Sequence, residues 1–351
     1  MSDFVGARAP RTLTAGRWSG AVGACIAVTA LAVVVLPMIS VSMTPDGRKL
    51  AWLDTSNPVE WQIYANLRLP RALAAVLVGG ALAAAGCALQ AILRNPLAEP
   101  FTLGISSGSS LAAVFAIRLG LGAAWGGTGV GIAALLGAVI ATALVWQLGR
   151  VGRNLPPATL LLAGITLSTF ASAASMLVQH TADFVEMSQM LRWMMGSLKD
   201  VVGYGALLRA AVPIFLGIAV LLWLARQLNA LAAGSEAASA LGVNSPAVET
   251  TVFAVSSLLV GGCIALVGPI GFVGLMVPHA LRACFGPDHR LLLPTSVFVG
   301  GAFLVICDAL ARLIAPDQLA VGIVTALLGG PFFIGVLISG RRRAELWDSP
   351  G

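Results

Sequence analysis

The chain has 351 residues, of which 58% are hydrophobic and only 10% are charged, and its formal net charge is +6. Soluble domains carry about 25% charged residues, and a soluble fold of this length could not keep so much apolar surface out of water. The long unbroken apolar runs exclude a membrane β-barrel, whose strands of about ten residues alternate apolar and polar positions. The predicted fold class is therefore all-α, a polytopic membrane protein.

The first predicted element is an apolar run at 20–42, which follows Arg8, Arg11 and Arg17. Such an arrangement is also typical of a signal peptide. The run is longer than the apolar core of about 7–15 residues in signal peptides, and no small-residue cleavage site follows it closely. We therefore expect a cytoplasmic tail at 1–19 and an uncleaved first span.

Nine more apolar runs follow, most of them near the length of about 20 residues that a membrane-spanning helix needs. They lie at 66–91, 97–117, 129–149, 157–180, 205–226, 247–268, 270–286, 291–314 and 319–340. The runs at 97–117 and 270–286 are short and pass through Gly/Pro-rich sequence. The sequence predicts about ten spans in a single transmembrane domain at 20–340, followed by a cytoplasmic tail at 341–351.

Basic residues in short loops accumulate on the cytoplasmic side of membrane proteins. Ten spans place both termini on one side of the membrane. That side receives twelve basic residues, namely Arg8, Arg11, Arg17, Arg94, Arg150, Arg153, Arg226, Arg282, Arg290 and Arg341–Arg343. The other side receives nine, namely Arg48, Lys49, Arg68, Arg71, Arg118, Arg192, Lys199, Arg209 and Arg312. We therefore expect cytoplasmic termini in a bacterial inner membrane, and the large number of outer arginines needs a second explanation.

Several classes of chemistry have no support in the sequence. The centres of the spans are nearly free of acids, whereas ion-coupled carriers usually place ionisable residues there. Neither of the two lysines, Lys49 and Lys199, stands in a P-loop. Isolated histidines and the cysteines form no metal-ligand or catalytic pattern; they are His180, His279, His289, Cys25, Cys87, Cys263, Cys284 and Cys307. We therefore predict no catalytic site, metal or cofactor in this chain, and no nucleic-acid partner.

Two loops are more informative than plain connections. The inner loop at 227–246 is too polar to span the membrane and too apolar for a linker, so we expect two short surface helices at about 228–243. The outer loop at 181–204 contains Met187, Met190, Met194 and Met195, and Met176 and His180 lie one helical turn apart just before it. This set could be soft ligands for haem or a metal, or adaptable apolar packing over a pocket.

Five motifs occur in a fixed order along the chain. They are LRLPR at 67–71, GGALAAAGCALQA at 79–91, RNPLAEPFTLGISSGSS at 94–110, GPIGFVGLMVPHALR at 268–282 and VGIVTALLGGP at 321–331. Together with ALGV at 240–243, they resemble the permease family of ABC importers for iron chelates (siderophores), haem and cobalamin. The resemblance covers about residues 60–340.

The resemblance implies the inverted-repeat permease fold, in which spans two to five are repeated by spans seven to ten. It also implies a homodimer, two ATP-binding cassette subunits that bind ATP and Mg, and a periplasmic or lipid-anchored substrate-binding protein. The chain itself would then be no enzyme. Contact with the ATPase would be made by Ala233, Gly234, Ser235, Glu236, Ala240, Leu241, Gly242 and Val243.

The same resemblance implies a role for three outer arginines, Arg68, Arg71 and Arg312, as a basic pocket that receives glutamates of the binding protein. An alternative is that they anchor helix ends at the lipid headgroups, with Asp308 pairing Arg312 four residues on. Structural roles at helix breaks and close approaches are expected for Asn95, Pro96, Gly104, Gly108, Gly268, Pro269, Gly271 and Pro278. The alternative function is a stand-alone secondary transporter or channel. The residues do not identify which chelate is carried.

Overall fold

The computed structural model of the protein describes residues 15–44, 47–54, 56–124, 128–150, 156–315 and 318–348. Most of the predicted N-terminal tail, with Arg8 and Arg11, lies outside the described residues, as do Asp46, Arg153 and Asp317. In chain order the elements are α1 (Ala15–Met38), β1 (Ile39–Thr44), β2 (Gly47–Trp52), α2 (Pro58–Ile63), α3 (Leu69–Ile92), α4 (Ile105–Arg118), α5 (Leu121–Ala124), α6 (Thr128–Gly149), α7 (Pro157–His180), α8 (Phe184–Met194), α9 (Gly205–Trp223), α10 (Ala225–Ala232), α11 (Ser235–Ala240), α12 (Ser245–Val267), α13 (Val273–Phe285), α14 (His289–Ile314) and α15 (Val321–Asp348).

Eight helices within the described residues are long and apolar enough to cross a membrane. Two shorter apolar helices, α4 and α13, bring the number to the ten that the sequence predicts. The short helices correspond to the two short, Gly/Pro-rich runs. The nearly all-helical membrane fold is therefore confirmed.

Helix α3 forms the centre of the bundle. In its most apolar stretch 89% of the residues are buried, whereas in the corresponding stretch of α7 17% are. Alanine and glycine make this possible, because helices without side-chain bulk can approach to backbone contact. A Cβ atom added at Gly80 would lie 2.8 Å from the carbonyl oxygen of Val297 in α14, and one at Gly301 of α14 would lie 3.0 Å from the carbonyl oxygen of Val76. Small residues at this contact thus fix how closely α3 and α14 pack.

The structure corrects two predicted boundaries. The first span was expected to reach residue 42, but α1 ends at Met38 and the chain continues as an antiparallel hairpin, in which Ile39 pairs with Trp52 and Thr44 with Gly47. The third span was expected to begin at residue 97, but the regular helix begins at Ile105. A turn of 3₁₀ helix at Pro100–Leu103 precedes it, because Pro96 and Pro100 lack the backbone N–H groups that a longer helix would need.

The order of helix lengths repeats along the chain. Helices α3, α4, α6 and α7 have 24, 14, 22 and 24 residues, and α12, α13, α14 and α15 have 23, 13, 26 and 28. Each set is a long helix, a half-length helix and two long helices. This pattern agrees with the repeat of spans two to five in spans seven to ten.

Candidate functional site

Both half-length helices begin at a residue in the left-handed region. Gly104 has φ +80° ahead of α4, and Phe272 has φ +69° ahead of α13. Glycine adopts this conformation freely, whereas for phenylalanine it is strained. The carboxylate of Glu99, only 8% exposed, accepts a hydrogen bond from the Phe272 backbone N–H. The loop before α4 therefore satisfies a backbone donor at the start of α13 and joins the two repeats.

The start of α13 lies inside the bundle. A Cβ atom at Gly86 would overlap the carbonyl oxygen of Gly274, and Gly86 is only six residues from the inner end of α3. The sequence places Gly268, Pro269 and Gly271 at a helix break. Gly268 and Pro269 lie against Trp193 and Gly196 of the loop at 181–204, and the chain then enters the bundle, where α13 starts. Irregular backbone at this depth is tolerated where protein or a cavity surrounds it.

A cavity of about 760 Å³ lies beside these two breaks. Its lining comes from the starts of α4 and α15, from α7, and from the segments around Pro269 and Met194. The lining residues are Phe101, Ser106, Ser107, Ser110, Ser168, Ser172, Ser175, Met176, Gln179, Met194, Met195, Pro269, Gly322, Ile323, Ala326 and Leu327. Six are serines, and these described residues carry no formal charge. The cavity can thus offer hydrogen bonds without binding an ion strongly.

The serines form two facing rows, three on α4 and three on α7. The hydroxyl of Ser107 lies 3.1 Å from that of Ser168 and also donates to the Gly104 carbonyl at 3.0 Å. Ser175 donates to the carbonyl of Ala171 one turn earlier. A hydroxyl bonded to its own helix keeps acceptor capacity towards the cavity, so the rows present a polar but uncharged wall.

Methionines complete the wall on the side of the loop at 181–204. Met176, Met194 and Met195 line the cavity, and the side-chain amide of Gln179 lies 3.0 Å from the Met194 sulfur. Met190 is instead fully buried. Met187 and His180 are exposed and absent from the lining. The structure therefore brings together three of the predicted methionines as a soft apolar rim, in the way that adaptable packing over a pocket would require.

The three predicted outer arginines lie close to Asp308, whose side chain is only 4% exposed. Arg71 donates to this carboxylate through Nε at 3.0 Å and through Nη2 at 2.7 Å. Arg312 pairs with it across 3.3 Å, outside hydrogen-bond geometry. Arg68 makes a long contact of 3.5 Å to the carbonyl of Pro37. The three guanidinium groups and the Asp308 carboxylate together carry two net positive charges, and the Glu60 carboxylate lies near enough to interact with Arg68.

Asp308 is the residue of this cluster whose contacts the sequence predicted least completely. Its four-residue spacing predicted the pair with Arg312, which the structure contains. The stronger bidentate pair with Arg71 joins residues 237 positions apart, and nothing local in the sequence points to it. Asp308 thus holds Arg71 and Arg312 in place. The third arginine, Arg68, makes no described contact with the Asp308 carboxylate.

The loop at 227–246 forms the two expected short helices, α10 and α11, here called the elbow. Gly234 between them has φ +124°, and Gly242 after them has φ +79°. Leu241 is 73% exposed, whereas Ala238 is fully buried. Of the predicted contact residues, Ala233, Ser235, Glu236, Ala240, Leu241 and Gly242 are exposed, and Gly234 and Val243 are half-buried. The elbow therefore presents a surface of mostly small side chains.

Asn229 fixes the elbow to α14. Its amide nitrogen donates to Asp288 Oδ1 at 2.7 Å, and its amide oxygen accepts from the His289 backbone N–H at 2.8 Å. Asp288 also accepts from the Arg290 backbone N–H at 3.0 Å and so caps the helix. One side chain of α10 thus holds the first turn of α14.

The remaining predicted motif residues have structural positions. The Asn95 side chain accepts from the Leu97 backbone N–H at 2.9 Å, beside Pro96 in the turn after α3. Gly108 allows α4 to pack against Ala141 and Gly137 of α6. Pro278 lies inside α13, and Gly268 ends α12 with φ +73°. Their positions are those of helix breaks and close helix contacts.

These features define a polytopic membrane transport subunit, with a cavity between helix breaks, a charged cluster at one end and an elbow at the other. The chain belongs to the FecCD transport family, whose sequence profile matches residues 19–339. The family predicted from the motifs is therefore confirmed.

Known relatives cover most of the chain. The cobalamin import system permease BtuC of Halobacterium salinarum is 42% identical over 284 residues, which are 80% of this chain and 75% of the relative. The hemin transport system permease HmuU of Yersinia pestis is 38% identical over 296 residues, 83% of this chain and 88% of the relative. A solved structure, described as a metal-chelate type ABC transporter in an inward-facing conformation, matches with a TM-score of 0.79 and 32% identity, covering 91% of this chain and 98% of that one.

Proposed function

We propose that the chain is the permease subunit of an ATP-driven importer that moves an iron-siderophore, haem or cobalamin-type chelate across the inner membrane by alternating access. The observation that carries this proposal is the serine-lined cavity of about 760 Å³ beside two half-length helices. Its volume lies within the range of about 300–1,000 Å³ found for small-molecule sites. An uncharged, hydrogen-bonding wall suits a bulky chelate that must be released again.

The cavity also supports a homodimer. Met176 is 68% exposed and Leu327 is 66% exposed at its edge, so the cavity is open on one side of the protomer. Of the α7 row, Ser172 is exposed and Ser168 is half-buried, and hydroxyl groups that face lipid are costly. A second copy of the chain closes the cavity and makes it a central path.

Energy would come from two partner ATPase subunits that bind ATP and Mg and contact the elbow. The exposed small residues of α11 and the turn at Gly242 favour a close fit, because nothing lies within 4 Å of the Cβ position at Gly242. With the elbow on the cytoplasmic side, both chain termini are cytoplasmic. The relatives named as permease proteins favour this assignment over a stand-alone secondary transporter or channel.

The binding protein would dock at the opposite end, on Arg68, Arg71 and Arg312. Guanidinium groups bind carboxylates bidentately, and two net positive charges favour an acidic partner. Because Arg71 and Arg312 are already paired with Asp308, Arg68 is the arginine most available to an incoming glutamate. The pair with Asp308 would orient the other two.

The test is uptake into proteoliposomes that contain the chain, its ATPase and the binding protein. Labelled cobalamin, haem and a ferric siderophore are offered separately, with an ATPase variant that binds but does not hydrolyse ATP as the control. We expect ATP-dependent uptake of one chelate class. Uptake that is independent of ATP hydrolysis and follows an ion gradient would contradict the proposal. Native mass spectrometry should give two permeases per ATPase pair, and one permease per pair would contradict the dimer.

A further inference from the structure

A second cavity, of about 370 Å³, lies where two membrane spans end. One is the span Gly205–Trp223, and the other begins at His289. The lining residues are Leu222, Trp223, Ala225, Arg226, Gln227 and Arg290. The cavity therefore sits at the membrane–water boundary on the elbow side, between the joint of α9 with α10 and the first turn of α14.

The lining combines the side chains that recognise an anionic headgroup at this depth. Arg226 and Arg290 are exposed and contribute two positive charges. Asp288, two residues before Arg290, accepts hydrogen bonds from Asn229 and from the Arg290 backbone N–H. Basic pockets between spans on this kind of surface bind the phosphate groups of anionic lipids.

An apolar wall continues from the charged one. Trp223 is 74% exposed and Leu222 is 39% exposed, and both belong to the last turn of a membrane span. Tryptophan concentrates at headgroup level, where its ring is partly apolar and partly polar. A soluble phosphate ion has no apolar part to contact this wall, whereas the acyl chains of a lipid would cover it.

One polar atom of the lining also lacks a partner. The side-chain amide oxygen of Gln227 is buried and accepts no hydrogen bond from any described residue. An unsatisfied buried acceptor costs about 1–3 kcal/mol, so a rotation of the Gln227 amide that turns this oxygen towards a hydroxyl donor in the cavity would stabilise the site. The glycerol headgroup of phosphatidylglycerol carries such hydroxyls beside its phosphate.

We infer that this cavity is a binding site for an anionic phospholipid, with the phosphate between Arg226 and Arg290, the headgroup hydroxyl on Gln227 and the acyl chains along Trp223. The bound lipid would hold the end of α9 to the start of α14, at the base of the elbow. This inference uses only the membrane location of the chain and would survive a wrong choice of transported chelate.

The test is native mass spectrometry of the full chain in mild detergent, titrated with phosphatidylglycerol or with phosphatidylcholine of the same acyl chains. The variant is Arg226→Gln with Arg290→Gln, and the matched control is Arg150→Gln, which removes a charge at the end of α6 outside the cavity lining. We expect the double variant to bind phosphatidylglycerol about thirtyfold more weakly, since each arginine near the surface contributes about 1 kcal/mol to anionic lipid binding. The control should bind like the original chain.

Three outcomes would overturn the inference. These are equal retention of the two lipids, equal retention of phosphatidylglycerol by the double variant, and thermal stabilisation by inorganic phosphate as large as that by the lipid. Should the double variant fail to fold, Trp223→Ala provides a second route, because it keeps both charges and removes the apolar wall. It should weaken phosphatidylglycerol binding while leaving the preference over phosphatidylcholine in place, and unchanged binding would contradict the site.

Discussion

Asp308 is the residue whose removal gives the sharpest prediction. Its carboxylate is 4% exposed and accepts three contacts of 2.7–3.0 Å from Arg71. Arg71 is itself only 15% exposed, and Arg312 is 23% exposed. Asp308→Asn leaves both guanidinium groups largely buried without a counter-charge. Breaking one side of a buried pair costs about 3–5 kcal/mol, and the partial exposure of the arginines places the expected loss near the lower end, about 3 kcal/mol.

The measurement is a double-mutant cycle on the purified chain, unfolded with a denaturing detergent. Arg71→Met alone should also be strongly destabilising, because it leaves the buried carboxylate with only the poorly aligned Arg312. The double variant Asp308→Asn with Arg71→Met should cost clearly less than the sum of the two single variants, because the second substitution removes a guanidinium group that the first has left without its counter-charge. The single variants would therefore be strongly non-additive.

An exposed pair provides the control for this cycle. Arg118 and Glu186 lie 3.1 Å apart, with Arg118 45% exposed. Breaking such a pair usually costs less than about 1 kcal/mol, so Arg118→Gln should be mild. If Asp308→Asn were equally mild, and the two substitutions at Asp308 and Arg71 simply additive, the cluster would not be a buried ion pair and the reasoning would fail.

Three further substitutions test the close contacts and both ends of the bundle. Gly86→Ala should lower the free energy of unfolding by at least about 1–3 kcal/mol, because its Cβ meets the backbone of α13. Gly23 has open space around it, so Gly23→Ala should be neutral or stabilising in the same unfolding assay. Gly242→Trp should leave membrane insertion intact but uncouple ATP hydrolysis from uptake. The control Gly242→Ala has the same backbone strain without the bulk and should stay coupled. Normal uptake by the tryptophan variant would show that the elbow contact is misplaced. Arg68→Glu should weaken binding-protein docking and remove its stimulation of the ATPase while basal hydrolysis survives, and unchanged docking across a salt series would contradict the docking role.

Much of the membrane fold could be predicted from the sequence because span length and hydropathy are local properties. The two Gly/Pro-rich runs indicated α4 and α13 as the unusual helices, since missing N–H groups and glycines limit helix length wherever they occur. The elbow helices were also predicted from composition. The hairpin at 39–52 was not, because it follows an apolar run directly and its pairing depends on two short segments meeting.

The candidate site was predicted less completely, for a physical reason. Contacts such as Arg71 with Asp308 are set by which helices pack together, and that packing depends on small residues along α3 and α14 rather than on any motif near the charges. The left-handed conformation of Phe272 is similar, because its strain is accepted where Glu99, 173 positions earlier, binds its N–H. Sequence patterns identify which residues are unusual, and the tertiary fold decides what they bind.

Helix α14 shows how the two ends of the molecule are mechanically related. Asp308, near one end of this 26-residue helix, holds Arg71 at the charged cluster, and the first turn at the other end is held by Asn229 of the elbow. A helix is stiff along its axis because each turn is hydrogen-bonded to the next. If the elbow is displaced, either the bonds of Asn229 break or α14 moves with it. In the second case the Asp308 cluster moves as well, because Arg71 is bound to the same helix from the central α3. The close backbone contact of α3 with α14 leaves little room for the two helices to separate, so such movement would carry both together.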